Sequence, residues 1–172
     1  HGNGPMRCGG SAADGDEKTD LPDEGAHGEC VEELNGETLM SKRVVVCGDD
    51  FGMNADVDEG MIALAGMRRV SAVSCLSLGP TFAANAPRLA AQDVDIGLHL
   101  NFSETLGADA EPLPSLGALI LKAYAGRLDA AWIDARLDEQ FDAFEAAFGR
   151  APDYVDGHQH VHQLPGIRKR VL

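Results

Sequence analysis

The sequence has no long apolar segment and no excess of basic residues. No apolar run approaches the roughly 20 residues of a transmembrane helix, and no segment near the start joins a basic end to an apolar core, as a secretion signal does. The formal net charge of −14 argues against a nucleic-acid partner, whose phosphates bind basic side chains. These absences predict a single cytoplasmic domain that binds neither membrane nor nucleic acid.

The four cysteines lack the spacing of a zinc site or of a disulfide framework. Cys8 and Cys30 lie in the N-terminal stretch, and Cys47 and Cys75 fall inside predicted strands, with no Cys-x-x-Cys pair among them. Buried free thiols in a reducing compartment are the simpler interpretation. The sequence also lacks internal repeats and a glycine-rich phosphate loop.

Residues 1–39 have no aromatic residue and are rich in glycine, aspartate and glutamate. Ten acidic and two basic residues fall within residues 1–40, which leaves a net charge of −6 for the other 132 residues. Such a composition buries too little apolar surface to offset the entropy lost on ordering. We therefore expect residues 1–39 to form a disordered acidic tail, residues 40–172 to form the domain, and Met40 to be the authentic start.

The segment from Val44 to Gly52 carries the strongest local signal. Its apolar, β-branched run at residues 44–47 predicts a strand buried on both faces, and two carboxylates, Asp49 and Asp50, follow where that strand ends. Successive side chains of a strand point to opposite faces, so both carboxylates reach one site only if the backbone leaves the pleat. Gly48 and Gly52 permit such a break. The alternative is an acidic turn with no chemical role.

Downstream, predicted helices and strands alternate. We expect helices over residues 55–67, 81–91, 115–125 and 130–148, a further helix opened by Pro165, and strands over residues 70–78, 95–100 and from 154 onward. The longest helix places its apolar residues on one core-facing stripe: Ile133, Leu137, Phe141, Phe144 and Phe148. This alternation predicts an α/β fold with a parallel sheet, in which ligands bind at the C-terminal ends of the strands. The loop at 101–114 is expected to shape a substrate cleft.

Four of the six histidines lie at predicted strand ends: His99, His158, His160 and His162. A lone His99 would indicate a hydrogen-bonded core residue, but His-x-His-x-His together with the Asp-Asp pair predicts a divalent metal site. In a strand the outer two histidines of the cluster would lie about 13 Å apart, so the three cannot share one ion. A chain that curls after Gly157 would instead bring His158 and His162 together. The histidines left over would support a ligand or act as general acid.

Adjacent carboxylates at such a site are suited to different tasks. One can hold the ion, and the other can take the proton of a water whose pKa the ion has lowered. This arrangement predicts hydrolysis at a carbonyl or phosphoryl centre.

Three segments together resemble the motifs of the YdjC-like carbohydrate deacetylases, which include the chitooligosaccharide deacetylases. They are Val-Cys-Gly-Asp49-Asp50-Phe-Gly, Ile-Gly-Leu-His99-Leu-Asn and Asp156-Gly-His158-Gln-His160-Val-His162. The resemblance covers about residues 42–172. It implies metal-dependent removal of an acetyl group from an N-acetylated sugar or oligosaccharide, and an irregular, TIM-like (β/α) barrel.

The resemblance also implies roles for individual residues. Asp49 would be the general base, and Asp50, His99 and His158 would hold the ion. His160 and His162 would remain as supporting residues or general acid. Family members are commonly described with Mg²⁺, whereas two imidazoles suit Zn²⁺ or another transition ion better, so the metal stays open.

Chain length leads to a further expectation and keeps two alternatives open. A (β/α) barrel takes about 250 residues, whereas 133 follow from Met40 onward, so the chain is interpreted as the front half of the family domain, truncated after its fourth strand. The unpaired strand edge of such a piece favours homo-oligomers or aggregation. The alternatives are a metal-dependent phosphoesterase, which the scarcity of basic residues near the motifs disfavours, and a non-catalytic fragment that binds metal or sugar.

Overall fold

A computed structural model describes residues 31–34, 37–40, 44–108 and 110–172 of the chain, which divides into two compact units, His1–Lys42 and Arg43–Leu172. In the first unit, strands β1 (Val31–Leu34) and β2 (Glu37–Met40) pair antiparallel. The two strands occupy the last part of the stretch expected to form a disordered tail, and the division of the chain at residue 39 stays a prediction. The expectations for residues 1–30, including Cys8 and Cys30, lie outside the described residues.

The second unit alternates strands and helices. In chain order it contains β3 (Cys47–Phe51), α1 (Ala55–Gly66), β4 (Ala72–Cys75), α2 (Phe82–Ala90), β5 (Asp95–Leu100), α3 (Leu116–Tyr124), α4 (Ala130–Phe148), β6 (Val155–Gly157), a 3₁₀ turn (His158–Gln163) and α5 (Arg168–Val171). The four strands form one parallel sheet in the order β3-β4-β5-β6. The predicted α/β class with a parallel sheet is confirmed. None of the helices in the described part of the chain has both the length and the apolar character to cross a membrane.

The predicted first strand is wrong in its bounds and its burial. Val44, Val45 and Val46 precede β3 and are 77%, 68% and 50% exposed. The apolar run predicted burial on both faces, but β3 pairs only with β4 among the described strands, so this end of the sheet is an open edge. Cys47 is likewise exposed, against the prediction of a buried thiol, whereas Cys75 is buried as expected, and both are free.

Helix α4 anchors the core behind the strand ends. Ile133, Leu137 and Phe144 of the predicted stripe are buried, and Phe141 and Phe148 are half-buried and pack against the same core. The helix contacts β5 and α2, and the rings of Phe144 and Phe148 lie 4.7 Å apart. Because α4 packs on β5, it fixes the strand that carries His99.

A buried carboxylate holds the loop after β3. Asp58, in the first turns of α1, is fully buried and accepts hydrogen bonds from the backbone amide of Gly52 at 2.6 Å and from Asn85 Nδ2 at 2.7 Å. Asn54 caps α1 by accepting from the amides of its first turn, as predicted. The segment that follows the Asp-Asp pair is therefore tied to α1 and α2.

Candidate metal centre

The backbone leaves the regular pleat at the Asp-Asp pair. The register of β3 against β4 shifts between Gly48 and Phe51, where β3 holds one extra residue, and Asp50 has a φ of 70°. The predicted break is thus confirmed, although the left-handed residues are Asp50 and Gly52 (φ 98°) and not Gly48. Aspartate tolerates this conformation better than most residues do. The bulge leaves Asp49 exposed and places Asp50 beside the histidines.

Three strand ends bring Asp50, His99 and His158 together. Asp50 Oδ1 lies 2.8 Å from His158 Nδ1 and 3.4 Å from His99 Nε2. One ligand atom from each residue falls within 4.8 Å of the other two, and both imidazoles are buried. One carboxylate oxygen and two imidazole nitrogens at this spacing are a donor set that suits a divalent transition ion.

The second nitrogen of each imidazole faces a further carboxylate. His99 Nδ1 lies 2.6 Å from Asp156 Oδ1, and His158 Nε2 lies 2.7 Å from Glu104 Oε2. A metal-ligating histidine commonly donates its other ring N–H to such a partner, which fixes the orientation of the ring. The surroundings of both imidazoles therefore match those of ligands.

A polar chain supports Asp156 from behind. Ser74 Oγ donates to Asp156 Oδ2 at 2.8 Å and lies 3.0 Å from the Tyr154 hydroxyl, which is 3.1 Å from Cys47 Sγ. Burial raises the pKa of Asp156, but the hydrogen bond and charge interaction with His99, the hydrogen bond from Ser74 and the charge interaction with His162 together outweigh that effect and leave this pKa below its ordinary value. Asp156 is therefore an ionised acceptor for the His99 N–H.

A second group of possible ligands has a less suitable chemistry. Cys47, Asp49 and Asp156 also bring one donor atom each within 4.8 Å. Cys47 Sγ is within hydrogen-bond distance of Asp49 Oδ1 and of the Tyr154 hydroxyl, and Asp156 accepts from Ser74 and faces His99. Because these donor atoms already have partners, this group is less available to an ion than Asp50 and the two histidines are.

The histidine cluster curls instead of continuing as a strand. β6 ends at Gly157, and the 3₁₀ turn that follows contains Gln159 and His160 at φ 52° and 58°. His160 is exposed, and His162 is half-buried against Gly157 with a buried Nδ1 that has no hydrogen-bond partner in the described part of the chain. The curled alternative is thus confirmed over the continuous strand, but His158 joins the group with Asp50 while His162 stays outside it.

A cavity of about 210 Å³ lies over these groups. Its walls are formed by Asp49, Asp50, His99, Asp156, Gly157, His158, Gln159, His160 and His162. Asp49 belongs to this wall, and its Oδ1 lies 3.4 Å from Cys47 Sγ. Among the described residues that line this cavity there is no lysine or arginine. The carboxylate of Asp49 therefore lies next to the group formed by Asp50, His99 and His158 without belonging to it.

Sequence reasoning missed the groups behind the two imidazoles. Asp156 belongs to the motif that contains His158, but the sequence assigns it no function of its own. Ser74 and Tyr154 are indicated only as residues of predicted strands. Glu104 lies in the loop after β5, which was expected only to shape a cleft. No local spacing indicates either contact, since Asp156 and His99 are 57 residues apart and Glu104 and His158 are 54 residues apart.

His158→Ala is expected to weaken Zn²⁺ binding more than His160→Ala or His162→Ala, because of these three clustered histidines it is His158 that has a ring nitrogen beside Asp50. Loss of a residue that merely supports a ligand costs about 10–100-fold in affinity, so the effect of His158→Ala should exceed that range. Calorimetric titration of the three variants checks the order. A greater loss for His162→Ala would assign the ligand to the far side of the curl.

Comparisons with known proteins give a consistent family. Residues 43–172 match the family model described as YdjC-like protein. The chain is 34% identical over 138 residues to a carbohydrate deacetylase of Homo sapiens, covering 73% of this chain and 42% of that protein. It is 33% identical over 136 residues to a chitooligosaccharide deacetylase of Yersinia pestis (strain Pestoides F), covering 74% of this chain and 53% of that protein. The chain thus spans about half the length of these relatives.

A solved structure has a similar fold. It is a protein of Enterococcus faecalis V583, provisionally described as a cellobiose-phosphate cleavage protein, and it aligns with a TM-score of 0.53. The alignment covers 69% of this chain and 49% of the other at 24% identity, so the likeness concerns the fold alone.

Proposed function

The chain belongs to the YdjC-like protein family, and on that premise we propose that it carries the metal-dependent catalytic centre of a carbohydrate deacetylase. The substrate is an N-acetylated sugar or oligosaccharide, and the products are acetate and the free amine. The observation that carries the proposal is the convergence of Asp50, His99 and His158 beside the carboxylate of Asp49, which lies outside that group of three. The names of the two relatives support the substrate class.

Asp50, His99 and His158 are the proposed ligands. Their donor set fits an ion because the histidine nitrogens that face Asp50 are those left free by the Asp156 and Glu104 contacts. A bound divalent ion supplies Lewis acidity, which polarises the acetyl carbonyl and lowers the pKa of a water nearby. Two imidazoles favour Zn²⁺ or another transition ion, while Mg²⁺ remains the alternative drawn from the family resemblance.

Asp49 is the proposed general base. It is exposed in the cavity wall and outside the three-residue group, so its carboxylate is free to take a proton from water. The water oxygen bonds to the acetyl carbon as the carbonyl π bond opens, and one water proton passes to Asp49. The C=O bond re-forms as the C–N bond breaks, and the departing nitrogen takes a proton from a protonated imidazole, for which His160 and His162, both in the cavity wall, are the candidates. The acetic acid formed then releases its remaining proton to solvent as acetate.

The two rival functions have less support. A phosphoesterase usually balances the charge of its substrate with basic side chains, and the lining of the described cavity has none. The second rival is a non-catalytic chain that binds metal or sugar, and the carboxylate of Asp49 beside the three-residue group gives the centre a candidate base that mere binding does not need.

Acetate release separates the three functions. The chain, and a chain extended to the length of its relatives, are incubated with N-acetylglucosamine oligomers plus Mg²⁺ or Zn²⁺, with a chelator as the metal-free control. We expect metal-dependent acetate release and no phosphate release from a phosphomonoester. Phosphate release alone would support the phosphoesterase, and metal binding without either product at both lengths would support the non-catalytic alternative.

A further inference from the structure

Glu104 contacts the candidate centre from outside the three family-like motifs. Its Oε2 lies 2.7 Å from His158 Nε2, and on the opposite side of the ring His158 Nδ1 lies 2.8 Å from Asp50 Oδ1. The imidazole is thus held between two carboxylates and is 7% exposed. An imidazole that binds an ion through one nitrogen keeps a proton on the other.

We propose that Glu104 is a positioning residue that accepts the His158 Nε2–H and thereby keeps His158 Nδ1 free and aimed at the ion. The inference rests on the proposed metal centre. Asp156 holds the same relation to His99, accepting at Nδ1 while Nε2 faces Asp50. The two ligands would therefore use opposite ring nitrogens, each selected by the carboxylate behind it.

The loop backbone around Glu104 is built to hold this side chain. Asn101 Oδ1 accepts from the amide of Glu104 at 3.0 Å, and Asn101 Nδ2 donates to the carbonyl of Glu104 at 2.6 Å. The amide of Asn101 in turn donates to Gln140 Oε1 at 2.7 Å, and Gln140, on α4, is 1% exposed. The backbone of Glu104 is therefore tied through Asn101 to the buried Gln140 of α4, the helix that packs on β5.

A second link ties the same loop to the histidine turn. Ser103 Oγ donates to Gln159 Oε1 at 2.9 Å, and Gln159 directly follows His158. The loop and the turn are thus joined at two neighbouring points, one of them the Glu104–His158 contact. Such a double link favours a fixed position of His158 over a chance approach of an exposed glutamate.

Zn²⁺ affinity tests the proposal without any need for turnover. Glu104→Ala is expected to weaken Zn²⁺ binding by about 10–100-fold in calorimetric titration, the range for loss of a carboxylate behind a ligand histidine. Glu104→Gln keeps an oxygen that accepts from Nε2–H, so it should bind Zn²⁺ more tightly than Glu104→Ala. Glu111→Ala is the matched control, because Glu111 is an exposed glutamate of the same loop.

Nitrogen NMR of histidine-labelled protein loaded with Zn²⁺ shows which ring nitrogen of His158 carries the proton and which binds the ion. A residue that only stabilised the fold would not affect this choice. His158 should be protonated at Nε2 and bound through Nδ1 in the wild type, and this tautomer should persist in Glu104→Gln. Affinity equal to wild type in Glu104→Ala, or a wild-type His158 bound through Nε2, would overturn the proposal. A wild type that binds no Zn²⁺ would overturn the metal centre itself, so the two failures are distinguishable.

Discussion

Asp49→Asn is expected to lower acetate release by about 100- to 10,000-fold, the usual contribution of a general base, while leaving Zn²⁺ affinity close to that of the wild type. The two effects separate because Asp49 is outside the group of possible ligands that contains Asp50. Asparagine keeps the size and the hydrogen-bonding oxygen of the side chain but cannot accept a proton at neutral pH. Its Oδ1 can still accept from the Cys47 thiol, which lies 3.4 Å from the carboxylate.

The measurement combines turnover and binding on the same protein. Acetate release is followed at saturating metal in the chain length at which the wild type is active, and Zn²⁺ affinity is determined by calorimetry. Asp56→Asn is the control, because Asp56 is an exposed aspartate of α1 away from the cavity. Full turnover in Asp49→Asn, or a loss of metal affinity as large as that of turnover, would contradict the assignment of Asp49 as base.

The parts of the fold that sequence predicts well are those whose signal is local. The bounds expected for β5 and α4 agree with Asp95–Leu100 and Ala130–Phe148. Alternating helices and strands are encoded by apolar periodicity and caps within one segment, such as Asn54 before α1. The prediction that the valines at 44–46 are buried is wrong because burial depends on which strand lies beside them. The sequence of the segment does not indicate that neighbouring strand.

The same distinction holds for the site. Asp50, His99 and His158 could be placed together because the C-terminal ends of parallel strands meet at one edge of the sheet. Ser74 and Glu104 could not, since Ser74 lies within β4 and Glu104 in the loop after β5, where sequence does not show which way a side chain points. Strand ends bring the three proposed ligands together, whereas the carboxylates and hydroxyls behind them depend on side-chain packing.

The turn after Gly157 decides which of the three clustered histidines lies beside Asp50. Three histidines on one strand face would span about 13 Å, too far for one ion, so sequence already required that some be excluded. The spacing alone did not indicate which of the three would be excluded. In the structure, Gln159 and His160 adopt left-handed backbone conformations that turn the chain and leave His158 beside Asp50. Neither residue is a glycine, so composition gave no warning of this backbone.

Asp50→Asn is expected to weaken Zn²⁺ binding by more than the roughly 100-fold that marks the upper range for supporting residues, because it removes the only charged donor of the proposed ligand set. Asparagine is the informative replacement, since it tolerates the left-handed backbone that Asp50 adopts at φ 70°, as alanine would not without strain. A loss of affinity in Asp50→Asn then reports the lost charge and not a refolded bulge.

Asp49→Asn, one position earlier in the same bulge, is the matched control and should keep its affinity. Calorimetry at several Zn²⁺ concentrations, with circular dichroism to compare the folds, decides the matter. Equal affinities in Asp50→Asn and the wild type would remove Asp50 from the centre, and with it the arrangement on which the division of roles between the two aspartates depends.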